Sequence, residues 1–146
     1  MGTRSTITFY QKSKDSVVPL VNIHQQYDGY LEGVGKDLCE WLQKKIITNG
    51  FNSDDKRDIA NGVGCLSAQY IRDHKPRVGD LYIYPAGVHN EWCDYNYSVI
   101  VDDGFSGEKK AEDITTIEIG SWGSEPYFTG TISETLNFIE KGCKYD

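Results

Sequence analysis

Between His24 and Leu42 the chain reads HQQYDGYLEGVGKDLCEWL, and most of the residues able to do chemistry sit at its start. Gln25, Gln26, Tyr27, Asp28 and Tyr30 crowd into six positions, followed by Gly33, Gly35 and Lys36. Side-chain amides and a carboxylate bond polar edges, tyrosine rings stack on flat groups, and glycines let a backbone approach a ligand. The order is that of a strand end, a polar aromatic turn, two glycines and an amphipathic helix. It directs backbone N–H groups and a positive helix end at the loop, a place suited to a small anion.

Arg4 reaches the same place by another route. Residues 3–10 (TRSTITFY) and 17–26 (VVPLVNIHQQ) read as two strands of a hairpin. The start of the first then lies near the end of the second, bringing Arg4 towards Gln26, Tyr27 and Asp28. Two outcomes follow. Arg4 and Asp28 form an ion pair that locks the turn, or Arg4 faces a phosphate or carboxylate while Tyr27 or Tyr30 stacks on a ring. The candidate ligand-binding set is therefore Arg4, Gln26, Tyr27, Asp28, Tyr30, Gly33, Gly35 and Lys36.

Signals for catalysis are weak. His24 and Asp28 would be a base and its orienter, but four residues along a strand span about 13 Å. GxSxG, HExxH and a local Cys–His signature are missing. Gly33-Val34-Gly35-Lys36 fits neither GxGxxG nor the Walker pattern, and Asp37 stands where the latter needs a hydroxyl residue. Asp102, Asp103, Glu108, Glu112 and Asp113 miss the spacing of a calcium loop. No catalytic residue, metal ligand or cofactor is assigned.

The elements that must position the set follow from periodicity. Pro19 marks an edge or a bulge in the second strand. A first helix presents Val34, Leu38, Trp41, Leu42 and Ile46 on one face and stops at Asn49-Gly50. A second begins at Ser53 as N-cap, with Ile59, Val63, Leu66 and Tyr70 on its core face. Gly62 and Gly64 inside it point to close packing against a neighbour such as Trp41. Strands at 79–85, 95–102 and 113–120 follow, then a helix over 132–141. Thr131 and Glu134 form its capping box. The order ββααβββα predicts a single α+β domain over residues 1–146, an antiparallel sheet of about five strands with helices on one face.

Composition bounds the partners. The 146 residues carry a net charge of −7, which argues against gripping a nucleic-acid backbone. The basic cluster Arg72, His74, Lys75 and Arg77 falls where a helix should end, complementing its dipole. Cys39, Cys65, Cys93 and Cys143 show no metal or CxxC spacing and read as reduced thiols in a cytoplasmic protein. No apolar run reaches membrane-spanning length. Ten tyrosines against five phenylalanines suggest half-buried surfaces, grooves or contacts between copies in a homo-oligomer.

MGTRSTITF at the start, together with QQYDGYLEGVGKDL, resembles a family of small uncharacterised proteins associated mainly with tailed phages and prophages. The similarity covers residues 1–42. It implies a phage context and no particular activity. The expectation is a phage-related binding protein for a small anionic or nucleotide-like ligand. Two alternatives stand beside it: a module that engages a host protein through exposed tyrosines and Trp92 or Trp122, and a small hydrolase using Asp28 and His24.

Overall fold

A computed structural model describes residues 2–50, 58–87, 93–121 and 125–142. Strands β1 (Ser5–Ser13) and β2 (Ser16–Gln25) form the expected hairpin, with Ser5 opposite Gln25. The register shifts between Phe9 and Tyr10, where Tyr10 faces Pro19, so the proline sits at a bulge. A π-helical turn, Leu31–Gly35, leads into helix α1 (Lys36–Gln43). Then come β3 (Ile46–Asn49), β4 (Ile59–Asn61), α2 (Gly62–His74), β5 (Leu81–Tyr84) and β6 (Tyr95–Asp102). The chain continues through β7 (Gly107–Lys110), the single turn α3 (Ala111–Ile114), β8 (Thr115–Gly120), β9 (Phe128–Gly130) and α4 (Ile132–Gly142).

The fold is mixed α+β, and the sheet differs from the expected one. Six strands in the order β5-β2-β1-β6-β8-β9 form the main sheet, and β4-β3-β7 form a second. The sheet is also not wholly antiparallel, because β1 and β6 run parallel from Ser5 opposite Tyr95 to Lys12 opposite Asp102. β1 is therefore a central strand, and Ser5, Thr6 and Ile7 are buried in succession, as a strand paired on both sides requires.

Ile7, Phe9, Ile23, Tyr97, Val99, Ile117 and Ile119 project from one face of the main sheet into a single core. Leu38 and Leu42 of α1, Val63, Leu66 and Tyr70 of α2, and Ile132 of α4 close it from the other side. The alternate positions, among them Thr6, Thr8, Asn22, His24, Asn96 and Ser98, make the opposite face polar.

Three boundaries move for physical reasons. Ile46 belongs to β3, not to the first helix, because the β-branched run Ile46-Ile47-Thr48 packs better on a pleated surface than in a further helical turn. The second helix starts at Gly62, and Ile59 lies in β4; Ser53 lies outside the described residues. Gly62 has φ +78°, and a Cβ on Gly64 would meet nothing within 4 Å, so neither glycine serves close packing. The capping box of α4 forms as expected: Thr131 N–H donates to Glu134 Oε1 at 2.8 Å and Glu134 N–H to Thr131 Oγ1 at 3.1 Å.

Candidate functional site

The loop between β2 and α1 closes on itself. Asp28 takes φ +58°, turning its carbonyl inward to accept the N–H of Val34 at 2.8 Å. Tyr30 O accepts from Gly33 and Gly35, and Gly29 N–H reaches across to Thr3 O at 2.8 Å. Gly29 O in turn receives the buried hydroxyl of Tyr97 at 2.7 Å. Burial pushes that phenol well above its usual pKa, keeping it a donor.

Gly33 and Gly35 are explained by this closure. A Cβ on Gly33 would lie 2.2 Å from Asp28 O, and one on Gly35 would lie 3.0 Å from the Tyr97 hydroxyl. The amides of residues 33–35, the expected anion cradle, are committed to the loop's own carbonyls. Lys36 is exposed at the start of α1.

Arg4, Gln26, Tyr27 and Asp28 do gather at one end of the main sheet. Arg4 O accepts the N–H of Asp94 at 3.0 Å, just before β6, and Gln26 N–H donates to Asp80 O at 2.8 Å, just before β5. Tyr27 and Tyr30 are 51% and 40% exposed. The Arg4–Asp28 ion pair does not form: Asp28 spends its left-handed backbone on the loop, and the residue is exposed. Among the described residues the side chain of the partly buried Arg4 makes no hydrogen bond or ion pair.

Gln25 and Gln26 part to opposite faces. Gln25 turns to the helices and accepts the Tyr70 hydroxyl at 2.6 Å, while Tyr70 stacks on His74 at 3.8 Å between ring centroids. Gln26 joins His24 on the polar face, with Oε1 3.0 Å from His24 Nε2. The other ring nitrogen, Nδ1, lies 3.3 Å from Cys93 Sγ. Tyr82 and Tyr84 flank the imidazole at 6.0 and 5.7 Å between ring centroids. Burial raises the Cys93 thiol to a pKa of about 11, the Arg4 charge pulls it down, and Asp94 pushes it up.

Elsewhere the basic cluster is spent locally. Arg72 pairs with Asp73, Arg77 with Asp80 and His74 with Asp37, and Lys75 donates to the carbonyls of Arg77, Gly79 and Leu81. A cleft of about 270 Å³ sets four carboxylates, Asp37, Glu40, Asp58 and Asp73, against Lys44 and Lys45, a balance that does not favour an anion. In the 102–113 segment, Asp103 accepts from Gln11, and Glu112 accepts the N–H and hydroxyl of Ser133. Among the described residues no group of three or more His, Cys, Asp and Glu side chains could hold a metal ion. Nor is any helix among them long and apolar enough to cross a membrane. Trp92, Trp122, His89 and Cys143 lie outside the described residues.

Comparison with protein-family models, with curated proteins and with solved structures gives no match. The site must be read from its own geometry. Sequence reasoning missed Cys93, which stands 69 positions from His24. The alternation of β2 gave part of the signal, since it puts His24 and Gln26 on one face; the β1–β6 pairing that delivers Cys93 leaves no local mark.

Proposed function

We propose that this chain is a phage-related cytoplasmic protein that binds a small anionic, nucleotide-like ligand at the sheet end around Arg4, Gln26, Tyr27 and Asp28. One observation carries the reading: Arg4 is a partly buried residue whose guanidinium has no hydrogen-bond or ion-pair partner among the described residues. Its planar fork of donors is left to solvent, and a phosphate or carboxylate would match it bidentately. Tyr27, half exposed at the same end of the sheet, offers a ring face for stacking. The helix end contributes little, because its amides are already bonded.

The test is thermal stability against nucleotides, cyclic dinucleotides, sugar phosphates and small acids. A ligand at 100 times its Kd stabilises by about 2.7 kcal/mol, roughly 5–10 °C for a chain of this length. A shift lost in Arg4→Ala supports the reading; a flat panel removes it.

A second reading, a surface for a host protein or for another copy of the chain, draws on exposed apolar side chains at the sheet edge. Val17, Val18 and Leu20 of β2 lie beyond the stretch that β5 covers, and Ile83 of β5 is 62% exposed. Sedimentation of the purified chain, alone and with host lysate fractions, separates this reading from the first.

A further inference from the structure

His24 holds the middle of a directed chain of hydrogen bonds. Gln26 presents its carbonyl oxygen to Nε2, so that nitrogen carries the ring proton and Nδ1 offers its lone pair. That lone pair faces Cys93 Sγ at 3.3 Å, within reach of a thiol proton. Nucleophile, base and orienting amide therefore stand in line, on two separate pieces of chain. Cys93 precedes β6, His24 is the last residue but one of β2, and Gln26 follows that strand. Arg4, whose carbonyl accepts the N–H of Asp94, adds a positive charge that acts on the sulfur.

We propose that Cys93, His24 and Gln26 form a nucleophilic centre for acyl transfer, acting on a small ester or thioester whose anionic end Arg4 holds. The proposal goes beyond the binding reading and depends on it only for the anionic end. Cys93 Sγ attacks the carbonyl carbon while its proton passes to His24 Nδ1. The tetrahedral adduct collapses, the bond to the leaving alkoxide or thiolate breaks, and that group takes the proton from His24. Water, deprotonated by the same nitrogen, then attacks the thioester, releasing the acid and restoring the thiol.

Burial shapes how the centre works. Cys93 is 4% and His24 2% exposed, and burial keeps the resting Cys93 thiol protonated. The nucleophile must form in step with attack, as in a serine–histidine pair, and not as a standing thiolate. Entry requires a ring to move, and Tyr82, tilted against His24 and 47% exposed, has the freedom to do so. Only a small substrate fits such an opening.

The experiment offers the full chain two probes, p-nitrophenyl acetate and mono-p-nitrophenyl succinate, with peptide-level mass spectrometry reading the acyl group. The proposal expects Cys93 to be acylated in the folded protein, with an initial burst of nitrophenol equal to the acylated Cys93 and slower release thereafter. The rate should fall about 100-fold in His24→Asn, the scale of a lost general base. Gln26→Met should lower it less, and Cys65→Ser should leave it unchanged. Circular dichroism and melting temperature establish that each variant is folded. Succinate preferred over acetate, with the preference lost in Arg4→Ala, supports both readings. Equal rates for the two esters keep the thiol centre and remove the anion-holding role of Arg4. Failure of either ester to acylate Cys93 in folded wild type, or equal acylation in His24→Asn, overturns the proposal whatever the ligand panel shows.

Discussion

Gly33→Ala and Gly64→Ala are the same chemical change and should move stability in opposite directions. At Gly33 the new Cβ falls 2.2 Å from Asp28 O, a backbone atom that cannot swing aside as a side chain would. Ordinary contact needs more than 3 Å, so the carbonyl must retreat by about 1 Å, breaking the Val34 N–H to Asp28 O bond. Asp28 already occupies φ +58° and has little room to adjust. The lost bond costs about 1–3 kcal/mol and the forced backbone about as much again. Against this, alanine stiffens the unfolded chain by about 0.4–1 kcal/mol. The net loss is about 1–5 kcal/mol, or roughly 2–20 °C in Tm. Gly64 lies inside α2 with nothing within 4 Å of its Cβ position, so alanine there should gain about 0.5–1 kcal/mol. Thermal unfolding followed by circular dichroism reads both variants. A Gly33→Ala protein melting within a degree of wild type would refute the closed-loop geometry, and with it the account of why the glycines stand there.

Two further predictions concern buried groups. Tyr97→Phe leaves Gly29 O without its 2.7 Å partner and should cost about 1–3 kcal/mol in chemical denaturation; an unchanged midpoint would remove Tyr97 as the anchor of the loop. Alkaline pH should destabilise the chain through Cys39, whose thiol burial raises from 9.0 to about 12, with Glu112 and Glu40 adding to the rise. Between those values the unfolded thiol loses its proton while the folded one keeps it, so stability falls as pH rises, by at most about 1.4 kcal/mol per unit from this group. Tm measured from pH 8 to 11 should therefore drop more steeply in wild type than in Cys39→Ala, and parallel curves would contradict the burial argument.

What could be read in the sequence was what local pattern determines. The β1–β2 hairpin, the strand at Tyr95–Asp102 and the capped final helix were legible because alternation, bulge chemistry and capping are short-range. Helices on one face of a sheet followed from the same alternation. The parallel β1–β6 pair joins residues about ninety positions apart, and no residue type marks such a partner. The second sheet escaped because β3, β4 and β7 are only three or four residues long. Ile46 also falls by coincidence on the helical face of α1. The candidate site shows the same division. Arg4, Gln26, Tyr27 and Asp28 gather at one sheet end because a hairpin puts them there. The fates of Gly33 and Gly35 depended on the loop's internal closure, which hydrogen bonds decide and spacing does not.

The central claim is that an unpaired Arg4 at the sheet end takes a small anion, and amide chemical-shift mapping addresses it most directly. Pyrophosphate, simple nucleotides and cyclic dinucleotides would be titrated into isotope-labelled wild type and Arg4→Ala. The account predicts that at least one of them shifts the amides of Arg4 and of residues 26–30 in wild type and leaves them still in Arg4→Ala. Shifts confined to the cleft around Asp37, Trp41 and Asp73, shifts that persist in Arg4→Ala, or none at millimolar ligand would contradict it.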